Sequence, residues 1–494
     1  MKREAGILMH ISSLPSEYGI GTLGKEAYDF VDFLKETGQK YWQVLPIGPT
    51  SYGDSPYQSF SSYAGNPYFI DFDILIEKGL LTKNDIERFK WGSNLESVEY
   101  GTLYNNRFKV LKIAYQNRTE VIKNSVRDFE VENANWLQDY SFYMSIKNFY
   151  SGVAWGNWPK SIRMRTKKAL KDYKDLLKED ISFWNFVQCM FFEQWYSLKE
   201  YANKNGIKII GDIPIYCAYD SADVWGEKDN FKLDDDGNLI TVSGCPPDDF
   251  SEDGQLWGNP IYNWEYIKSN NYKYWIDKIK YSSSIYDVVR IDHFRGFEAF
   301  WEVQYGAENA VKGKWVKGPD IDLFNSIKDE LGEVNIIAED LGYLTKEVFE
   351  LLEATGFPGM NVLQFAFDGD EDNKYLPINQ KENSIVYTGT HDNKTILGWI
   401  EDEMTEEREE QIRALSELGE EEEINKVLID IAYNSPARIA IIPIQDILGI
   451  GKEGRMNEPS TLGKNWTWRM KSDAITNEIK SNLYKMIKTS KRKM

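Results

Sequence analysis

The chain has 494 residues, enough to bury a large core without disulfide or metal staples. Its 58 Lys and Arg against 78 Asp and Glu give a formal charge of −20, which excludes the clustered positive charge that nucleic acid or an anionic membrane needs. Cys189, Cys217 and Cys245 form no C-x-x-C pair, Met1-Lys2-Arg3-Glu4 opens no signal peptide and no apolar run nears the roughly 20 residues of a spanning helix, so a cytoplasmic protein is expected.

Taken in order, eight short apolar runs rich in Ile and Val stand out: 6–11, 41–46, 208–216, 287–291, 334–338, 360–367, 384–387 and 438–444. Continuous apolar runs of this length are how strands of a parallel sheet, covered on both faces, read. Helical patterns lie between many of them, for example over 25–37 and 183–203. Eight alternations predict a single α/β domain, a (β/α)8 TIM barrel. Two gaps are too long for simple crossovers. Residues 74–182 are charged and helical in pattern and predict a helical insertion. Residues 217–271 are rich in Gly, Pro, Asp and Trp and predict a long, lid-like loop over the active site.

Several motifs are decoys. Gly19-Ile20-Gly21-Thr22-Leu23-Gly24 and Gly449-Ile450-Gly451-Lys452-Glu453-Gly454 match a dinucleotide-binding pattern but lack its strand, helix and following acid. Asp234-Asp235-Asp236-Gly237 hints at a calcium loop, yet the first and twelfth positions are Lys232 and Ser243. A D-G hairpin turn between 231–233 and 239–242 explains it better. No His/Cys spacing suits zinc, and nothing calls for a cofactor.

Four of the apolar runs lead into an acid: Asp212, Asp292, Glu339 and Asp392. Each could cap a following helix. Together, at strand ends that converge on one face of a barrel, they make an active-site cluster. Two of the chain's three histidines, His293 and His391, adjoin these acids. Clustered carboxylates without a metal motif suit glycoside chemistry, in which one carboxyl protonates the leaving oxygen and another acts on the anomeric carbon. Arg290, two residues before Asp292, is expected to keep that carboxylate ionised. Neighbouring negative charge is expected to raise the affinity of Glu339 for its proton. The 16 Trp and 30 Tyr supply candidate platforms for sugar rings.

At these residues the sequence resembles the 4-α-glucanotransferases (amylomaltases, or disproportionating enzymes) of glycoside hydrolase family 77, in the clan of the α-amylases. The resemblance rests on 48–58 (Gly-Pro-Thr-Ser-Tyr-Gly-Asp-Ser-Pro-Tyr-Gln), Gly211-Asp212-Ile213-Pro214, Pro246-Pro247-Asp248, 254–260, 290–296 (Arg-Ile-Asp-His-Phe-Arg-Gly), 338–342 and 389–393 (Gly-Thr-His-Asp-Asn). It implies transfer of α-1,4-glucan segments to an acceptor 4-hydroxyl through a covalent glycosyl-enzyme. Asp292 is then the nucleophile, Glu339 the acid and base, and Asp392 the residue that shapes the reacting sugar. The resemblance places Tyr57, Asp212, Asp248, Trp257, Arg290, His293, His391 and Asn393 around α-1,4-glucans and maltooligosaccharides. It also points to Phe250 on the lid, to a departure at Asp249 that weakens the lid's grip on glucan, and to Tyr52 in a second glucan site. A monomer or homodimer is expected. The rival readings are an α-glucan hydrolase of the same clan and a catalytically silent glucan-binding protein.

Overall fold

The computed structural model describes residues 2–51, 53–247, 252–342, 344–419, 421–461 and 463–493. Asp248, Asp249, Phe250 and Tyr52 lie outside the described residues. Among the described residues, twelve strands follow in chain order: β1 Glu4–Leu8, β2 Tyr41–Gln43, β3 Lys208–Pro214, β4 Thr241–Cys245, β5 Gln255–Pro260, β6 Val288–Asp292, β7 Ala299–Gln304, β8 Gly313–Lys317, β9 Ile336–Ala338, β10 Gly359–Val362, β11 Ser384–Tyr387 and β12 Ile439–Pro443. Each of the eight apolar runs overlaps one strand of a single parallel sheet, ordered β10-β11-β12-β1-β2-β3-β6-β9. A backbone hydrogen bond from Ala338 to the Pro358 carbonyl brings β9 against β10 and nearly closes the sheet into a barrel.

Side chains alternate across these strands, as the pleat requires. Inside the barrel lie Leu8, Tyr41, Ile210, Val288, Ile337, Met360, Ile385, Tyr387 and Ile441 in one apolar cluster. Their neighbours Ile7, Trp42, Ile209, Val289, Ile336, Val386 and Ile442 face outward into a larger core shared with the helices. This two-sided burial explains why the strands read as unbroken apolar runs. Gly211 is forced by packing, because a Cβ there would lie 2.2 Å from the Tyr286 ring.

Between β2 and β3 the chain is largely helical. It includes Tyr100–Gln116, Glu120–Glu132, Leu137–Phe149 and the 27-residue helix Lys178–Lys204, whose Trp195 donates to the Ile285 carbonyl at 3.1 Å. Between β3 and β9 a second, antiparallel sheet forms, ordered β5-β4-β7-β8. The expected hairpin is present as a Leu233 to Leu239 bridge, with Asp234 Oδ1 accepting from the amides of Asp236 and Asn238. No helix among the described residues is long and apolar enough to cross a membrane.

Candidate active site

Strand register assembles the carboxylates. In the parallel pair β3 and β6, Asp212 sits opposite Arg290 and Pro214 opposite Asp292. Arg290 and Asp292 are two residues apart, so both share the inward face with Val288. Arg290 Nη1 donates to Asp212 Oδ2 at 2.6 Å and to Asp292 Oδ1 at 3.1 Å. The Tyr57 hydroxyl donates to the same Asp212 oxygen at 2.9 Å. In the next pair Ile291 is opposite Ala338, which sets Glu339 beside Asp292 at the barrel rim.

Glu339 is clamped by backbone. Its Oε2 accepts from the His293 amide and its Oε1 from the Leu341 amide, both at 2.7 Å. His293 reaches this position with a left-handed backbone, φ 54 and ψ 48, a conformation costly for a residue with a Cβ and concentrated at functional sites. Asp340, the neighbour of Glu339, has a structural task. It accepts from the Met360 amide at 2.6 Å and fills the space that a side chain at Gly359 would need.

The segment after β11 carries His391 and Asp392. Its base is pinned by buried Asp446, which accepts from Thr388 Oγ1 at 2.6 Å and from the Ile396 amide at 2.7 Å. Asn393 is turned back onto its own loop, where its Oδ1 accepts from the Thr390 amide and hydroxyl, each at 2.8 Å. His391 stacks on Tyr57 with ring centroids 5.1 Å apart and an interplanar angle of 17°. Trp257 meets His293 edge to face at 4.6 Å.

Three further residues complete the site. Asn457 Nδ2 donates to Asp392 Oδ1 at 2.6 Å, and its amide donates to the His391 carbonyl at 3.1 Å. Arg455 Nη2 donates to the Asp392 carbonyl at 2.9 Å. The Trp466 ring lies 5.8 Å from both Tyr57 and His391. These residues follow the last barrel strand in a segment without apolar periodicity. There the Gly449 to Gly454 pattern draws attention to phosphate and away from Asn457.

Burial and charge set the protonation states. Asp292 leaves 31% of its side chain open to a ligand, yet protein surrounds the rest. Burial outweighs the guanidinium of Arg290 and lifts Asp292 to about 6. The sequence expectation for Arg290 thus has the right sign but not the larger effect. Burial first, then the charge of Asp292, lifts Glu339 to about 7 against two backbone donors that favour its anion. Burial lowers His293 to about 3, with Arg295 adding to it, so His293 is neutral at physiological pH. Among the described residues no group of three or more His, Cys, Asp or Glu could hold a metal ion. Such a rim offers two carboxyls of different proton affinity, flanked by the neutral imidazole of His293 and by aromatic faces.

Comparison with known proteins agrees with this chemistry. Residues 9–476 match the family described as 4-alpha-glucanotransferase. The chain is 52% identical to a 4-alpha-glucanotransferase of Clostridium butyricum, over 97% of this chain and 98% of that one. It is 48% identical to a 4-alpha-glucanotransferase of Streptococcus pneumoniae, over 98% and 96% of the two chains. Among solved structures, the amylomaltase of Streptococcus agalactiae in complex with acarbose superposes with a TM-score of 0.97 at 43% identity, covering all of both chains. With the family matched over nearly its whole length, the chain belongs to the 4-alpha-glucanotransferases.

Proposed function

We propose that the chain transfers α-1,4-glucan segments between maltooligosaccharides by a retaining double displacement at Asp292, Glu339 and Asp392. The observation that carries this reading is the register of β3, β6 and β9, which lines up Asp212, Arg290, Asp292 and Glu339 on one rim. Asp292, ionised between Arg290 and the open cleft, attacks the anomeric carbon. The bond to the leaving glucan breaks as Glu339 gives its proton to the glycosidic oxygen. Glu339, now a carboxylate, takes the proton of an acceptor 4-hydroxyl. That oxygen attacks the same carbon and releases Asp292. Two inversions give net retention.

Asp392 holds the hydroxyls of the reacting sugar and favours its distorted form. His293 and His391 donate to the same ring, and Tyr57 and Trp257 line it. The described part of residues 217–271, which includes β4 and β5, forms a lid that favours an acceptor hydroxyl over water. Cys189 and Cys217 are buried thiols, which suits a reducing cytoplasm.

Incubation with maltotriose tests the reading. Glucose together with a ladder of longer oligosaccharides is expected. Glucose and maltose without longer products would make the protein a hydrolase. An Asp292→Asn variant with unchanged activity would remove the proposed nucleophile.

A further inference from the structure

Behind the carboxylate rim, between β3 and the helix Lys273–Ile285, lies a cavity of about 40 Å³ whose largely apolar wall carries a few polar side chains. Asp212, Tyr57, Ser61, Lys278, Ser282 and Tyr286 contribute to its wall. Two of these carry unmet hydrogen-bonding capacity. Asp212 receives Arg290 and Tyr57 on Oδ2 alone, and its buried Oδ1 has no partner among the described residues. Lys278 is 2% exposed. Its one hydrogen bond among the described residues goes to the Pro214 carbonyl at 3.1 Å; its ammonium also lies 4.7 Å from the Trp275 ring and acts electrostatically on the buried Asp223 carboxylate. An ammonium carries three N–H donors, so two remain. A buried carboxylate oxygen and a buried ammonium left unmet would each cost far more than an ordinary lost hydrogen bond.

The remaining wall can bridge them. Ser282 Oγ donates to the Lys278 carbonyl at 2.8 Å, which leaves its lone pairs free. Ser61 Oγ accepts from the amides of Tyr63 and Ala64 at 3.1 and 3.3 Å, which leaves its proton free. A buried water needs two to four polar partners and about 10–15 Å³ of such space, so the cavity has room for about three.

We propose that this cavity is permanently hydrated and that Lys278, through its waters, is a positioning residue for Asp212 and thereby for Arg290 and Asp292. The chain of action is short. Water held by Lys278 donates to Asp212 Oδ1, fixing the plane of that carboxylate. Oδ2 then presents a fixed acceptor to Arg290, whose Nη1 is shared with Asp292. Without Lys278, Asp212 draws more fully on Arg290, and Asp292 loses part of the positive charge that keeps it ionised. Lys278 touches no sugar in this scheme. The groups that face Asp292 itself include Arg290, Asp212, His391, Asp392, Glu339 and Tyr57.

The inference rests on the roles proposed above for Asp292 and its neighbours. Its test compares wild-type enzyme with Lys278→Met and Lys278→Gln in maltotriose disproportionation. Lys278→Met is expected to lower kcat about tenfold with KM nearly unchanged, because misplacement transmitted from outside the site acts on the chemical step. The acid limb of its pH profile is expected to move upward, since Asp292 loses stabilisation of its charge. Lys278→Gln keeps N–H donors in the cavity and should recover most of the rate. A folded Lys278→Met enzyme with the wild-type kcat and acid limb overturns the proposal, as does a Lys278→Gln enzyme no better than Lys278→Met. If Lys278→Met does not fold, a high-resolution crystal structure of the wild type decides. Ordered water on Asp212 Oδ1 supports the proposal and a dry cavity overturns it. A wild-type enzyme without transferase activity would instead defeat the underlying functional reading.

Discussion

Asn457 donates from Nδ2 to Oδ1 of Asp392 at 2.6 Å while its own amide holds the His391 carbonyl. One residue from a distant, irregular segment thus ties down the Asp392 side chain and the His391 backbone at the end of the β11 loop. Arg455 strengthens the tie by donating to the Asp392 carbonyl at 2.9 Å and to the Asn457 carbonyl at 2.9 Å. Asp392 is the most open of the three rim acids, with 46% of its side chain exposed, so its orientation depends heavily on this contact.

The first prediction follows from that dependence. Asn457→Ala is expected to lower kcat/KM about 10- to 100-fold, the size expected when a hydrogen bond to a charged group is removed and its loss falls on the transition state. Asn457→Asp should be worse, because it replaces a donor with a second negative charge. Combining Asn457→Ala with Asp392→Asn should cost little beyond Asp392→Asn alone, as expected for residues that act as a unit. Full additivity in that double-mutant cycle would show that Asn457 acts elsewhere.

A second prediction concerns pH. The nucleophile must be ionised and the acid protonated, so kcat/KM should rise with Asp292 near 6 and fall with Glu339 near 7. The two groups interact, so the limbs belong to the pair. A donor with an acidic leaving group, such as α-maltosyl fluoride, needs no proton from Glu339 in the first step. Its kcat/KM should keep the acid limb and lose most of the alkaline one. An unchanged bell with that donor would assign the alkaline limb to another group.

The same shifts bear on stability. Burial holds Asp292 and Glu339 above ordinary carboxylates, so between the unfolded and folded values the folded state binds more protons. Stability from these groups is therefore fully present at low pH and is lost as pH rises through the folded values near 6 and 7. Asp292→Asn and Glu339→Gln remove that penalty. Each should raise Tm at pH 8, by about 1 °C for every kcal/mol relieved in a chain of this length. The gain should vanish near pH 4, where the native carboxyls are protonated. Calorimetry across pH checks this, and a gain that persisted at pH 4 would point to packing instead.

The legibility of the protein from its sequence divides along the same physical line. Barrel strands buried on both faces leave continuous Ile and Val runs, so all eight could be located, and the acids that end four of them could be placed on one rim. Arg290 could be put beside Asp292 because two residues along a strand return to the same face. The balance of burial against the guanidinium could not be read, since burial depends on the assembled barrel. Asn457, Arg455 and Trp466 stayed hidden because their contacts are tertiary: Asn457 is 65 residues from Asp392, and its own segment has no period. The unshared capacity of Lys278 was equally invisible, because a lysine on a helix reads as a solvated charge until its surroundings are known.

A final prediction separates stability from catalysis. Arg492, 3% exposed, gathers carbonyls from both ends of the chain. It donates to Tyr433 at 2.7 Å, Glu4 at 2.8 Å, Ala437 at 3.0 Å and Ala432 at 3.1 Å. Three of these lie in or just beyond the helix Ile424–Asn434, where a cation also meets the negative end of the helix dipole. Arg3 answers from the other terminus by donating to the carbonyls of Ser435 and Ser490 at 2.9 and 2.6 Å. Together they clasp β1 to the helix that precedes β12, its neighbour in the barrel. Arg492→Met keeps most of the side-chain volume but strands several buried carbonyls, each costing about 1–3 kcal/mol if no water reaches it. The variant should melt several degrees lower and unfold at lower denaturant, while kcat and KM at 25 °C stay at wild-type values. The clasp lies at the opposite end of β1 and β12 from the carboxylate rim, so a variant that lost activity while keeping its Tm would contradict this division of labour.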